Sequence, residues 1–213
     1  MSTSSTSRVT SPGPRVGSRP LSWRVVDIVV TAVIGVAAGV VFFGWNLVYS
    51  PLTAPLEAAL PGVQALVYGV WLFAGVLAGL IVRKPGAALF AELIAASVSA
   101  GLGAQWGFLT LEAGLVQGLG AELVFAIFLY RAWGPIVAIL AGAAAGLAMG
   151  INDLVLWYAG AGAAFATIYV VAAVISGAVI AGLGSWALAR ALAATGVLSR
   201  FASGRTARVS ATG

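Results

Sequence analysis

Between residues 23 and 188 the chain is a succession of long apolar runs parted by short connections, and its basic residues fall in every second connection only. Six runs stand out, at 23–45, 63–82, 86–104, 109–130, 135–157 and 164–188. Each is near the ~20 residues needed to cross the hydrocarbon core of a bilayer. The connections at 83–85 and 131–134 are so short that the helices they join must run antiparallel. The expected fold is therefore an all-α membrane protein with six transmembrane helices. The first apolar run exceeds the ~7–15 residues of a signal-peptide core, so it reads as an uncleaved first span.

Charge placement sets the orientation. Arg8, Arg15 and Arg19 precede the first run and Arg24 stands at its start, Arg83 and Lys84 follow the second, and Arg131 follows the fourth. Arg190, Arg200, Arg205 and Arg208 follow the sixth, which completes the 11 basic residues, and the other three connections contain none. Basic residues stay on the cytoplasmic side, so both termini are expected in the cytoplasm. The net charge of +5 thus marks topology and contact with anionic lipid rather than nucleic acid. Only 8% of residues are charged, against ~25% in a soluble domain. Residues 1–22 read as a disordered cytoplasmic tail, 23–188 as a transmembrane substrate-binding domain, and 189–213 as a basic cytoplasmic tail. The expected location is a bacterial inner membrane, with several passes through it.

Several chemistries lack their residues. Without Cys or His the chain has no thiol, no imidazole base and no common metal ligand beyond carboxylates. It has no GxxxxGK[ST] phosphate loop. Asp27 and Asp153 fall at opposite membrane faces, too far apart for an aspartyl dyad. No enzyme, cofactor or metal is expected.

What remains is a set of polar and aromatic residues in otherwise apolar spans. At ~1.5 Å per residue, Glu112 lies roughly 5 Å below the outer edge of the fourth span, Gln117 roughly 12 Å and Glu122 roughly 20 Å. On the third span Glu92 lies roughly 9 Å above the inner edge, at a depth similar to that of Glu122. Ionisable groups at such depth face a protein interior or cavity. Trp45, Tyr68, Trp106, Asn152, Asp153 and Trp157 gather toward the outer side, where terminal aromatics also form interfacial belts. Acids and aromatics with no basic neighbour suit a cationic or amine-bearing aromatic ligand. The expected binding residues are Glu122, Gln117, Glu92, Trp106, Glu112, Asn152, Asp153, Trp45, Tyr68 and Trp157. Residues 46–62 carry three prolines and read as a loop with a short interfacial helix over 54–60. Asp27 reads as a local ion pair with Arg24. Thr31, Gly35 and Gly39, at i, i+4 and i+8, form a small-residue face that serves either internal packing or docking of another subunit. Gly142, Gly146 and Gly150 repeat that spacing and read as internal packing. Glu92 and Glu122 also leave open a proton-coupled secondary carrier.

These residues carry a resemblance. Trp23 and Asp27, Lys84-Pro85-Gly86, Ala91-Glu92, Gly103-x-x-Trp106-Gly107, Gln117-Gly118-x-Gly120-Ala121-Glu122 and Asn152-Asp153 together make the chain similar to the substrate-binding (S) components of energy-coupling-factor (ECF) vitamin transporters. Within them it resembles the YkoE family, associated with thiamine and its hydroxymethylpyrimidine moiety. The resemblance implies a protein that captures vitamin from outside, while a transmembrane coupling (T) subunit and ATPase subunits drive release inward. It also implies docking through the small-residue face of the first span.

Overall fold

The computed structural model describes residues 21–198 together with 201 and 203. Among them the secondary structure is helical, in six rods. We number these α1 (Val25–Ala59), α2 (Val63–Val82), α3 (Ala87–Gly101), α4 (Leu109–Ile127), α5 (Pro135–Leu156) and α6 (Ala163–Ala194). All but α3 are long and apolar enough to cross a membrane; α3 has 15 residues. The chain is a multi-pass membrane protein. The expected tails lie outside the described residues for 1–20 and for most of 199–213, while α6 runs six residues past the expected boundary at 188.

The first rod starts at a reciprocal cap. The Asp27 carboxylate accepts from the Arg24 backbone N–H at 3.0 Å and from its guanidinium at 2.7 and 3.1 Å. An acid in the first turn also complements the helix dipole. The ion pair expected of Asp27 is present, with Asp27 fully buried. The loop expected over 46–62 is not. The helix continues through Pro51 and Pro55 to Ala59. These prolines are four residues apart, so they share one side of the helix. What ends α1 is Pro61. A residue before proline is driven out of the helical region, and Leu60 is extended, at φ −153° and ψ 104°. Gly62 then turns the chain at φ +102°.

Packing follows from where the small residues fall. The sequence of α2 is apolar on all sides, as expected of a helix buried all round, and it sits in the middle, touching every other helix. Around it the remaining rods pack in the order α1, α3, α4, α5, α6. Backbones come close at glycines. A Cβ on Gly35 would stand 2.8 Å from the Ala91 carbonyl oxygen, and one on Gly39 would stand 2.7 Å from that of Ala95. Thr31, on the same stripe, is fully buried and donates to the Asp27 carbonyl at 2.7 Å. The docking role expected of Thr31, Gly35 and Gly39 is therefore corrected: α3 of the same chain occupies that face. Gly142 and Gly146 meet the backbone of α6 at Gly177, Gly182 and Ala173, in keeping with internal packing. At this contact α6 widens into a π-helical turn over Gly177–Leu183.

Candidate ligand-binding site

Arg24, Arg83, Lys84 and Arg131 lie at one end of the bundle, at the start of α1 and the ends of α2 and α4. The other end holds a cavity of about 160 Å³. That is roughly ten times the ~10–15 Å³ a single water requires, and so is room for a small organic molecule. Among the described residues no basic one lines it.

Each wall is a stripe at helical spacing. From α1 come Phe42, Asn46 and Tyr49, and from α3 Glu92, Ala96 and Ser99. Thr110, Gly114 and Gln117 come from α4, and Met149, Asn152, Asp153 and Leu156 from α5. Positions i, i+3 or i+4 and i+7 share a helix face, so each rod presents one continuous line of residues from rim to floor. Glu92 is nine residues, or about 13 Å, below the cavity end of α3; Gln117 is about 12 Å below the start of α4; Met149 is about 10 Å below the end of α5. These three make the floor.

Hydrogen bonds fix the polar wall. Asn46 Oδ1 accepts from Trp71 Nε1 at 2.8 Å, and its Nδ2 donates to Ser99 Oγ at 3.1 Å. One amide thereby ties α1, α2 and α3 together at the cavity. Asn152 Nδ2 donates to Glu112 Oε2 at 3.0 Å, joining α5 to α4. Tyr169 of α6 donates to Asp153 Oδ2 at 2.7 Å. Burial raises the phenol of Tyr158, just beyond α5, above its ordinary value, so it remains a neutral donor. On the floor Glu92 is 1% exposed and accepts from the Gly75 N–H at 2.7 Å through Oε2.

Aromatic rings cover the rest. The rings of Tyr49, Tyr68, Trp71 and Trp106 meet with centroids 5.0 to 6.1 Å apart, mostly edge to face. Such pairs hold one another's orientation. Gln105 Nε2 donates to the Tyr49 hydroxyl at 2.7 Å, fastening the α3–α4 turn to α1. Gly103 and Gly107, both at positive φ, flank the short stretch that carries Trp106.

Eight of the ten residues expected at the site line the cavity: Gln117, Glu92, Trp106, Glu112, Asn152, Asp153, Tyr68 and Trp157. Two do not. Glu122 lies at the basic end, where it accepts from the backbone N–H groups of Gly86 (2.6 Å), Ala88 (2.9 Å) and Leu89 (3.3 Å) and from Tyr130 OH (2.8 Å). It fills the orphan donors at the start of α3. Depth counted along helices placed it level with Glu92, but the side chain leaves toward the other end. Trp45 is also absent from the lining; its neighbour Asn46, about 100° round the helix, takes that place. Tyr49, Phe42, Ser99, Thr110 and Met149 are additional lining residues. The signal for Tyr49 was its spacing from Phe42 and Asn46, legible only once α1 is known to continue. Among the described residues no group of three His, Cys, Asp or Glu is placed to hold a metal ion.

Comparison with known proteins agrees with this architecture. A family model described as "ABC-type cobalt transport system, permease component" matches residues 26–148. A Bacillus subtilis (strain 168) protein described as "Putative HMP/thiamine permease protein YkoE" is 39% identical over 185 residues, covering 86% of this chain and 92% of its own length. A crystal structure described as an S-component of an ECF transporter superposes with a TM-score of 0.81 at 36% identity, covering 90% of this chain and 96% of the other.

Proposed function

The chain belongs to this permease family and within it to the YkoE-type S components of ECF transporters, and on that premise we propose that it captures thiamine or its hydroxymethylpyrimidine moiety in the cavity described above. The observation that carries the proposal is the lining: carboxylates and edge-to-face aromatics with no basic group among the described residues. Thiamine joins a cationic thiazolium to a flat aminopyrimidine. Aromatic faces attract the cation, carboxylates accept from the amine, and a phosphorylated ligand would meet like charge with nothing to offset it. The cobalt in the family's description finds no matching donor set here, since the chain lacks His and Cys.

In this proposal the six rods cross a bacterial cell membrane, with both termini in the cytoplasm and the cavity open to the outside. The chain holds the vitamin; a T subunit and ATPase subunits supply the energy, because the sequence has no phosphate loop of its own. The lining residues named above are the binding residues, with Tyr49 and Trp71 added. Isothermal titration of the purified protein tests this. Saturable 1:1 binding of thiamine or hydroxymethylpyrimidine is expected, with thiamine monophosphate far weaker; no binding of either unphosphorylated compound rejects the substrate.

A further inference from the structure

Two floor groups lack partners. Glu92 Oε1 is a buried oxygen with no hydrogen bond to any described residue. The Gln117 side chain, 8% exposed, makes no hydrogen bond with any described residue. A buried oxygen such as that of Glu92 is almost always satisfied, and the exception calls for an explanation, while Gln117 keeps its amide free at the cavity wall. Both residues line the cavity rather than the dry core, so a bound molecule can supply what is missing.

The seat of Glu92 is built for it. A Cβ on Gly75 would come within 3.1 Å of Glu92 Oε2, and one on Gly118 within 3.0 Å of the Glu92 Cβ. Two glycines thus clear the space beside this side chain, and the Gly75 N–H pins one of its oxygens. Gly118 also adjoins Gln117, so the two unpartnered side chains start from facing turns of α3 and α4. A carboxylate oxygen accepts only, whereas an amide both donates and accepts. The complement is a ligand edge with an N–H donor beside a ring-nitrogen acceptor, which is the edge of an amino-substituted nitrogen heterocycle. Higher up stand Tyr49, Trp106, Glu112 and Asp153, the aromatic and acidic groups suited to a cation.

We infer that Glu92 and Gln117 are the specificity-determining pair. The ligand enters amino-heterocycle first, Glu92 Oε1 accepts from the exocyclic amine, the Gln117 amide donates to the ring nitrogen, and the cationic ring stays at the rim. This assignment rests on the capture of thiamine or its pyrimidine half proposed above, and it fixes the orientation.

The full-length protein is titrated with thiamine, hydroxymethylpyrimidine, hydroxyethyl-methylthiazole and oxythiamine, in which a carbonyl replaces the exocyclic amine. Leaving the buried Glu92 oxygen opposite a carbonyl, with no donor to accept from, predicts oxythiamine about 10- to 100-fold weaker than thiamine. The pyrimidine half alone should bind and the thiazole alone should not. Glu92→Gln, whose amide serves either partner, should bring thiamine and oxythiamine within about threefold of each other. Equal affinity of the wild-type protein for these two overturns the floor assignment and leaves capture standing, as does binding of the thiazole without the pyrimidine. Failure of both thiamine and hydroxymethylpyrimidine to bind overturns capture and the floor assignment with it. The wild-type ratio is read without any variant, so misfolding of Glu92→Gln does not remove the test.

Discussion

Gly35→Val separates packing from docking on the small-residue face of α1. A Cβ at position 35 would stand 2.8 Å from the Ala91 carbonyl oxygen and 2.7 Å from the Ile94 Cβ. Ordinary carbon contacts are ~3.5–4.0 Å, so α1 must retreat from α3 by roughly 1 Å. Overpacking of this kind costs about 1–3 kcal/mol, and two added methyl groups place valine toward the upper end. Replacing glycine within a helix returns about 0.4 kcal/mol. The net expectation is a loss of about 2 kcal/mol. Gly39→Val meets the same helix, at Ala95 and Val98. One displacement of α1 relieves both clashes, so the double variant should lose clearly less than the sum of the singles. Reversible unfolding in mixed micelles, followed by tryptophan fluorescence, measures both values. A Gly35→Val protein as stable as wild type but inactive in ATP-driven uptake by the assembled transporter would refute the internal-packing argument and restore a docking role.

Two further substitutions test the rest of the architecture. Glu122→Ala removes the acceptor of four hydrogen bonds at the start of α3 and should cost about 3 kcal/mol of stability, with ligand affinity within about twofold of wild type; a large affinity loss without destabilisation would return Glu122 to the site. Asn46→Ala strips the acceptor from Trp71 and the donor to Ser99, and should weaken thiamine by about 10-fold while costing about 1–3 kcal/mol, read by titration and unfolding.

Much of this was legible in the residues. Apolar length marked all six rods, and depth counted at helical rise collected Gln117, Glu112, Asn152 and Asp153 at one end of the molecule. What escaped depended on direction. Counting along a helix gives height but not the path of a long side chain, so Glu122 reached the orphan amides of α3 rather than the cavity. Three prolines suggested a loop over 46–62, yet only the last breaks the helix, since it alone forces its predecessor out of the helical region. It is the continued helix that brings Tyr49 to the cavity. The small-residue stripe of α1 signals close approach whichever helix approaches, and the sequence does not say that the partner is α3.

The continuity of α1 has a mechanical consequence. From Asp27, clamped to Arg24 beside the bond from Trp23 to the Pro85 carbonyl, to Tyr49 at the rim is one uninterrupted rod of about 33 Å. Transmembrane helices tilt over ~0–40°, and a change of roughly 10° about the Asp27 end would sweep Tyr49 through about 6 Å. That is as far as its ring lies from Trp106, at 5.8 Å. Packing on a neighbour sets a helix's lean, so the close seam of α1 on α3 at Gly35 and Gly39 also fixes where Tyr49 stands: a change in that seam shifts one post of the doorway while the floor, held by Gly75 and Gly118, stays where it is.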